Sequence, residues 1–297
     1  MSTDPTEPTS HVIPYLDTHH HLWDLAAHPY RWLQAEDAEE AALLGNYQAL
    51  RRSHLIEDYL AEARPHHVLA SVHVQAEYSG TDQVVETEWL QRLADRHGFP
   101  HAIIAKCDLT APDVATQLDR HGEYRNLRGV RGVASGAALR SAELGRGITA
   151  LTRRGLLYEL QITHESMGYA SAVARRHPAT TFVLEHAGLP LRADPGYLGL
   201  WRSGLRELGR LPNVLAKVSG LGMARHDWSI GSVRGLVLAV IDAFGTERTF
   251  FGSNWPVDRL YSDYGAIVGA HRAIVHDFTT AEQERLLHLN ARQHYRL

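Results

Sequence analysis

A short, β-branched apolar run that closes on polar residues and hands over to a helix-length stretch recurs eight times along this chain, and it constrains the fold more tightly than any other feature. The runs fall at 15–21, 68–77, 101–108, 127–135, 156–163, 180–186, 214–220 and 248–254. Strands alternating with helices predict parallel pairing, and eight of them predict a closed (β/α)8 barrel of the TIM type. The 297 residues are enough for such a barrel, which uses about 250 as one domain. A doubly wound open sheet would alternate in the same way, but no Gly-rich phosphate loop opens a helix here.

Between the runs, helical spacing is clearest at 82–97, where Val84, Val85, Trp89, Leu90 and Leu93 share a face. A second helix is expected at 281–289, after the candidate caps Thr279 and Thr280. One interval breaks the repeat: residues 22–67 read as an enlarged first loop over the barrel mouth, with a helix near 55–63. Residues 1–13 read as a disordered tail, leaving 14–297 as one catalytic barrel.

Composition removes several function classes. The net charge of −4 arises from 30 basic and 34 acidic residues with no clustered Lys/Arg stripe, which argues against nucleic acid as a partner. Neither a signal peptide nor a membrane-spanning run is visible, so no membrane role is expected. Cys107 is the only cysteine, so the fold cannot lean on an intrachain disulfide. A cytoplasmic enzyme with a small-molecule substrate is the expectation, and a homo-oligomer is compatible with it.

In a (β/α)8 barrel the chemistry sits at the C-terminal ends of the strands. Strict alternation in the first run would put Asp17, His19 and His21 on one face and His20 on the other. Two imidazoles there can bind a divalent metal or hydrogen-bond a substrate oxygen, although a chain with 20 histidines can also contain His-x-His by chance. The sixth run ends in His186, a third imidazole or a general acid; Glu185 has the opposite parity and reads as a packing residue or one that supports the site from behind. Arg131 lies within an apolar run and needs an anion, either a structural carboxylate or that of a substrate. Glu159 and Gln161 on the fifth run, and Lys217 and Ser219 on the seventh, are further candidates for substrate binding. Trp23, Tyr30 and Trp32 in the enlarged loop either select the substrate or pack the loop. Cys107 reads as a small buried apolar residue. On the eighth run the position expected to carry a base is Asn254, whose amide cannot accept a proton near neutral pH; Asp258 is the nearest carboxylate.

These residues, in order, resemble the lactonase branch of the amidohydrolase superfamily, the group that includes 2-pyrone-4,6-dicarboxylate lactonase and the L-fucono- and L-rhamnono-lactonases. The resemblance is carried by Asp17-Thr18-His19-His20-His21-Leu22-Trp23-Asp24, Gly129-Val130-Arg131, Leu184-Glu185-His186-Ala187-Gly188, Lys217-Val218-Ser219-Gly220-Leu221 and Phe251-Gly252-Ser253-Asn254-Trp255-Pro256. It implies a lactonase acting on a small oxygenated, carboxylated ring. Arg131 would anchor the acid, His19, His21 and His186 would polarise the carbonyl, and Asp258 or a histidine would activate water. The branch's eighth-strand acid falls on Asn254, which keeps open a non-hydrolytic decarboxylase, isomerase, dehydratase or cyclase. Either no metal or a weakly held divalent ion, zinc on His19, His21 and His186, is expected, because no carbamylatable lysine closes the fifth strand and Asn is a poor zinc ligand.

Overall fold

A computed structural model describes residues 12–132 and 135–297. Most of the expected tail, residues 1–11, lies outside the described residues; Ile13 already packs on the core, with its carbonyl accepting from Arg272. Eight parallel strands pair in chain order: β1 (Tyr15–His20), β2 (Val68–Val74), β3 (Ala102–Lys106), β4 (Leu127–Arg131), β5 (Leu157–Leu160), β6 (Phe182–Leu184), β7 (Val214–Val218) and β8 (Thr249–Phe251). The ring closes between β8 and β1 through a parallel bridge at His20 and Trp255. This is the (β/α)8 barrel that the eight runs predict. Its strands stop two or more residues short of most predicted ends, so several candidate residues stand on the loops just beyond them.

Two layers fill the barrel interior. The lower one is apolar, with Leu16, Val72, Ile104, Leu157, Val183, Leu215 and Phe250 supplied by seven strands and Tyr295 of the C-terminal segment packed against them. Above it, at the strand ends, the inward positions become polar and charged. Outward positions of the same strands, such as Tyr15, Ile103, Val130, Tyr158 and Val218, join the helices in the larger apolar core.

The predicted helices are present with shifted ends. Helix Val84–His97 begins two residues late and stops at Gly98, whose φ of +76° glycine adopts without strain. Thr279 caps Thr280–Glu284 by accepting from the Glu282 amide, and a π turn over Arg285–Leu289 follows. The enlarged first loop is not featureless. It carries helices Arg31–Gln34, Ala38–Leu44 and Ile56–Ala63, and Trp23, Tyr30, Leu33, Leu44 and Tyr47 form its own apolar cluster.

Close backbone approach makes some glycines obligatory. A Cβ at Gly147, in helix Ala142–Arg153, would fall on the Leu109 carbonyl, whereas one at Gly269, in helix Tyr264–Val275, would meet nothing within 4 Å. Gly147→Ala is therefore expected to lower stability by about 1–3 kcal/mol through overpacking. Gly269→Ala should raise it by about 0.5–1 kcal/mol through helix propensity. Urea denaturation of the two variants checks this opposite pair of signs.

Candidate active site

β1 does not alternate strictly. Asp17 pairs with Ser71 and His20 with His73, so β1 spends three residues where β2 spends two, a β-bulge. Leu16 and His19, three apart, both face inward as a result. Asp17 is turned outward to Tyr59 and Tyr264, and His20 outward to stack on Tyr59 at 4.0 Å. The expectation that Asp17 shares a face with His19 and His21 is thus overturned by one extra residue, while the opposition of His20 stands.

His19, His21 and His186 meet at the barrel mouth. His19 Nε2 and His21 Nε2 are 3.1 Å apart, and the His19 and His186 ring centroids 4.5 Å apart. His21 Nδ1 donates to the Val74 carbonyl at 2.8 Å, which leaves its Nε2 unprotonated when the ring is neutral. His186 reaches the site because the chain turns beyond β6, with φ of +51° at His186 and +54° at Ala187; its Nδ1 contacts Ser219 Oγ at 2.9 Å. Burial pushes His21 down to about 3 and His186 down to about 4, so both rings are neutral at pH 7.

Beneath the imidazoles lies a charged layer centred on Glu185. Arg131 donates to Glu185 at 3.3 Å and to the Gln75 carbonyl at 2.7 Å, with Glu77 3.7 Å away. Lys217 lies 4.0 Å from Glu185 and donates to Glu159 at 2.5 Å, and Tyr295 donates to Glu159 at 2.6 Å. Burial opposes the ionisation of Glu185, but Arg131 and Lys217 outweigh it and hold the carboxyl below its ordinary range. The anion that Arg131 requires is therefore a carboxylate of the protein itself. Glu185 is the central residue that parity missed. Counting inward positions forward from Val183, rather than back from His186, would have placed it in the barrel.

The mouth opens into a cavity of about 970 Å³ lined by His21, Arg131, His186, Asn254, Gln161 and Trp32, among others. Trp23 does not line it. Trp23 is buried, donates to the Arg52 carbonyl at 2.7 Å and packs edge-on against Trp32 at 5.6 Å, so of the two tryptophans only Trp32 faces a ligand. Glu159 and Lys217 are likewise absent from the wall, being paired below it, and Ser219 orients His186. Asp258 stands behind Asn254, accepting from its amide at 3.0 Å, and is shut off from the cavity; this disposes of a direct contact between Asp258 and substrate water. Cys107 is buried and its thiol is pushed up to about 12 by burial.

His19 Nδ1 and Glu185 Oε1 are buried without hydrogen bonds, as is Arg131 Nε, and the first two face each other at 3.7 Å. A neutral His19 has one proton for two acceptors, Glu185 on one side and His21 Nε2 on the other. A divalent cation between the two Nε2 atoms would release that proton to Glu185, and two nitrogens on one tetrahedral zinc stand about 3.3 Å apart. The residues therefore fit such an ion. His19, Glu185 and His186 also offer ligand atoms within 4.8 Å of one another, but using Glu185 directly would leave His21 aside.

Burial pushes Asp258 up to about 7, well above an ordinary carboxyl. The folded state then binds a proton more tightly than the unfolded chain, so this group's contribution to stability falls as pH rises from about 4 to 7 and is flat above. Asp258→Asn should accordingly gain about 1–3 kcal/mol on wild type between pH 5 and pH 8 in urea unfolding. A difference that does not change with pH would remove the raised acid.

The comparisons with known proteins agree with this geometry. The family model described as Amidohydrolase matches residues 16–297. An uncharacterized protein of Sinorhizobium fredii, y4mH, is 38% identical, with 96% of this chain and 99% of that one covered. An L-fucono-1,5-lactonase of Burkholderia multivorans is 32% identical over 85% of each chain. A crystal structure of an amidohydrolase from the same species with bound zinc superposes with a TM-score of 0.82 at 29% identity, covering 96% of this chain and 99% of that chain. With the motif order, the closed barrel and nearly the whole chain matched, this protein belongs to the amidohydrolase family.

Proposed function

We propose that the protein is a lactonase that opens an uncharged, hydroxyl-bearing lactone ring. The observation that carries this reading is the convergence of three imidazoles at the barrel mouth, His21 and His186 in the wall of a cavity large enough for a sugar-sized ring and fully buried His19 packed against them. An ester carbonyl lowered onto this cluster lies beside the unprotonated Nε2 atoms of His21 and His186, where a base or a bound ion can act on it. His186 is the base: hydrogen bonding to the Ser219 main chain and side chain keeps the proton on Nδ1 and frees Nε2 to take one from water. Glu185 Oε2, 3.9 Å from that Nε2, then offsets the imidazolium. His19 and His21 would hold a divalent ion, and an ion there supplies Lewis-acid polarisation of the carbonyl.

Charge on the wall supports a neutral substrate over the carboxylated ring first expected. Five carboxylates, Asp37, Glu39, Glu40, Glu165 and Glu77, the last paired with Lys106 at 2.7 Å, line the cavity against two guanidiniums, Arg31 and Arg131. Arg131 is moreover already engaged by Glu185. The lactonase relative supports the same choice by its name. Asn254, in place of an acid, is the observation that favours the second reading, a non-hydrolytic reaction on the same scaffold.

Purified protein assayed by proton release is expected to open neutral aldonolactones with kcat/KM at least tenfold above that for 2-pyrone-4,6-dicarboxylate. His186→Asn should lower kcat by about 100-fold or more. The reverse preference sinks the charge argument. No hydrolysis by wild type, together with hydrolysis gained in Asn254→Asp, would favour the second reading.

A further inference from the structure

The outward-facing side of the β1 bulge holds the least expected polar group in the protein. Asp17 is fully buried in the helix layer, and its two oxygens accept from five donors. Oδ1 takes the Ser253 amide at 2.8 Å and the His19 amide at 3.3 Å. Oδ2 takes Ser253 Oγ at 2.7 Å, Tyr264 OH at 2.9 Å and Tyr59 OH at 3.1 Å. No cation is among these partners, so the carboxylate is held by hydrogen bonds drawn from β1, the loop after β8 and two helices.

This clamp sits on the seam where the barrel closes. Elsewhere neighbouring strands share three or more register pairs; β1 and the β8 side share one bridge. Immediately beyond Asp17 the seam carries the Asn254 amide to the His19 carbonyl and the His21 amide to the Trp255 carbonyl, both at 2.7 Å. Gly252 shows how closely the chains approach, since a Cβ there would stand 2.6 Å from His19 Cβ and 2.7 Å from its amide nitrogen. Asn254 meanwhile holds a φ of +55°, a conformation that costs a non-glycine residue energy unless its surroundings impose it. The bulge leaves the Ser253 amide facing a side chain, and Asp17 supplies the acceptor. The carboxylate thereby links the segment that aims His19 to the segment that aims Asn254.

We infer that Asp17 is a positioning residue of the active site: its clamp on Ser253 fixes the β1 bulge and so points His19 inward, opposite Asn254. The inference concerns the placement of these side chains and holds for either reaction considered above. An amide at this position would turn one of the two oxygens into a donor facing donors, leaving at least two of the five partners unsatisfied.

The test uses the full-length protein labelled with 15N-histidine, and reads imidazole nitrogen shifts by NMR. In Asp17→Asn the His19 and His21 ring signals should move, reporting loss of their facing geometry, while His121 on the opposite side of the barrel stays in place. Ser253→Ala removes one donor to Asp17 and the Oγ that accepts from the Trp255 amide but keeps the Ser253 amide on Asp17, and should give a smaller change of the same kind; it serves if Asp17→Asn fails to fold. Tyr264→Phe, which removes a donor from the helix side, should lower Tm while leaving the His19 and His21 signals within the wild-type range. If Asp17→Asn or Ser253→Ala lowers Tm by as much as Tyr264→Phe but leaves those signals unmoved, Asp17 is only a stabilising residue and the inference falls. Because no substrate is added, failure here is distinct from failure of the lactonase reading.

Discussion

The interior of a closed barrel admits charge only where opposite charges meet, and here that condition is met at Glu185. Its carboxylate lies in the ring of strand ends with Arg131 and Lys217 beside it, and Lys217 is shared with Glu159. Breaking any one partner would leave a buried charge uncompensated, which costs several kcal/mol. The imidazole cluster rests on this layer. Glu185 faces both His19 and His186, so the charge that the fold must balance is also the one that can steady positive charge at the reacting floor.

The same layer shapes what the cavity above can accept. With Arg131 engaged by Glu185 and carboxylates prevailing on the wall, the cavity under the proposed reading favours hydroxyls over acids, and Trp32 supplies an apolar face on one side. The enlarged first loop contributes Trp32 and the helix Ala38–Leu44 to that wall and buries Trp23 beneath them. Asn254 then presents an amide, backed by Asp258, where the resemblance implies an acid, so that the proposed hydrolysis would send the proton to an imidazole.

The barrel was legible in the sequence because inward and outward positions alternate in seven of its strands and each run is followed by helix. Its site was legible less evenly. His21, His186 and Asn254 fall at run ends and line the mouth, and His19 is inward but fully buried against them. Asp17 was misplaced because alternation cannot register an inserted bulge residue. Glu185 escapes the parity rule because His186, its reference, lies beyond the strand on a left-handed turn. Glu159 and Lys217 have the inward parity expected of them but sit one layer too low, since alternation gives a face and no depth. Asp258, past the cis-proline turn, was a direction no periodic rule supplies.

On the proposed reading the imidazoles, and not Arg131, receive the reacting group of the ligand. A crystal structure of the protein soaked with a neutral aldonolactam, a slow analogue of the lactone, tests it most directly. The analogue's carbonyl group is expected over His21 and His186, with its ring against Trp32 and the Arg131–Glu185 pair intact. A ligand bound instead through Arg131, with Glu185 displaced from the guanidinium and the imidazoles untouched, would contradict it.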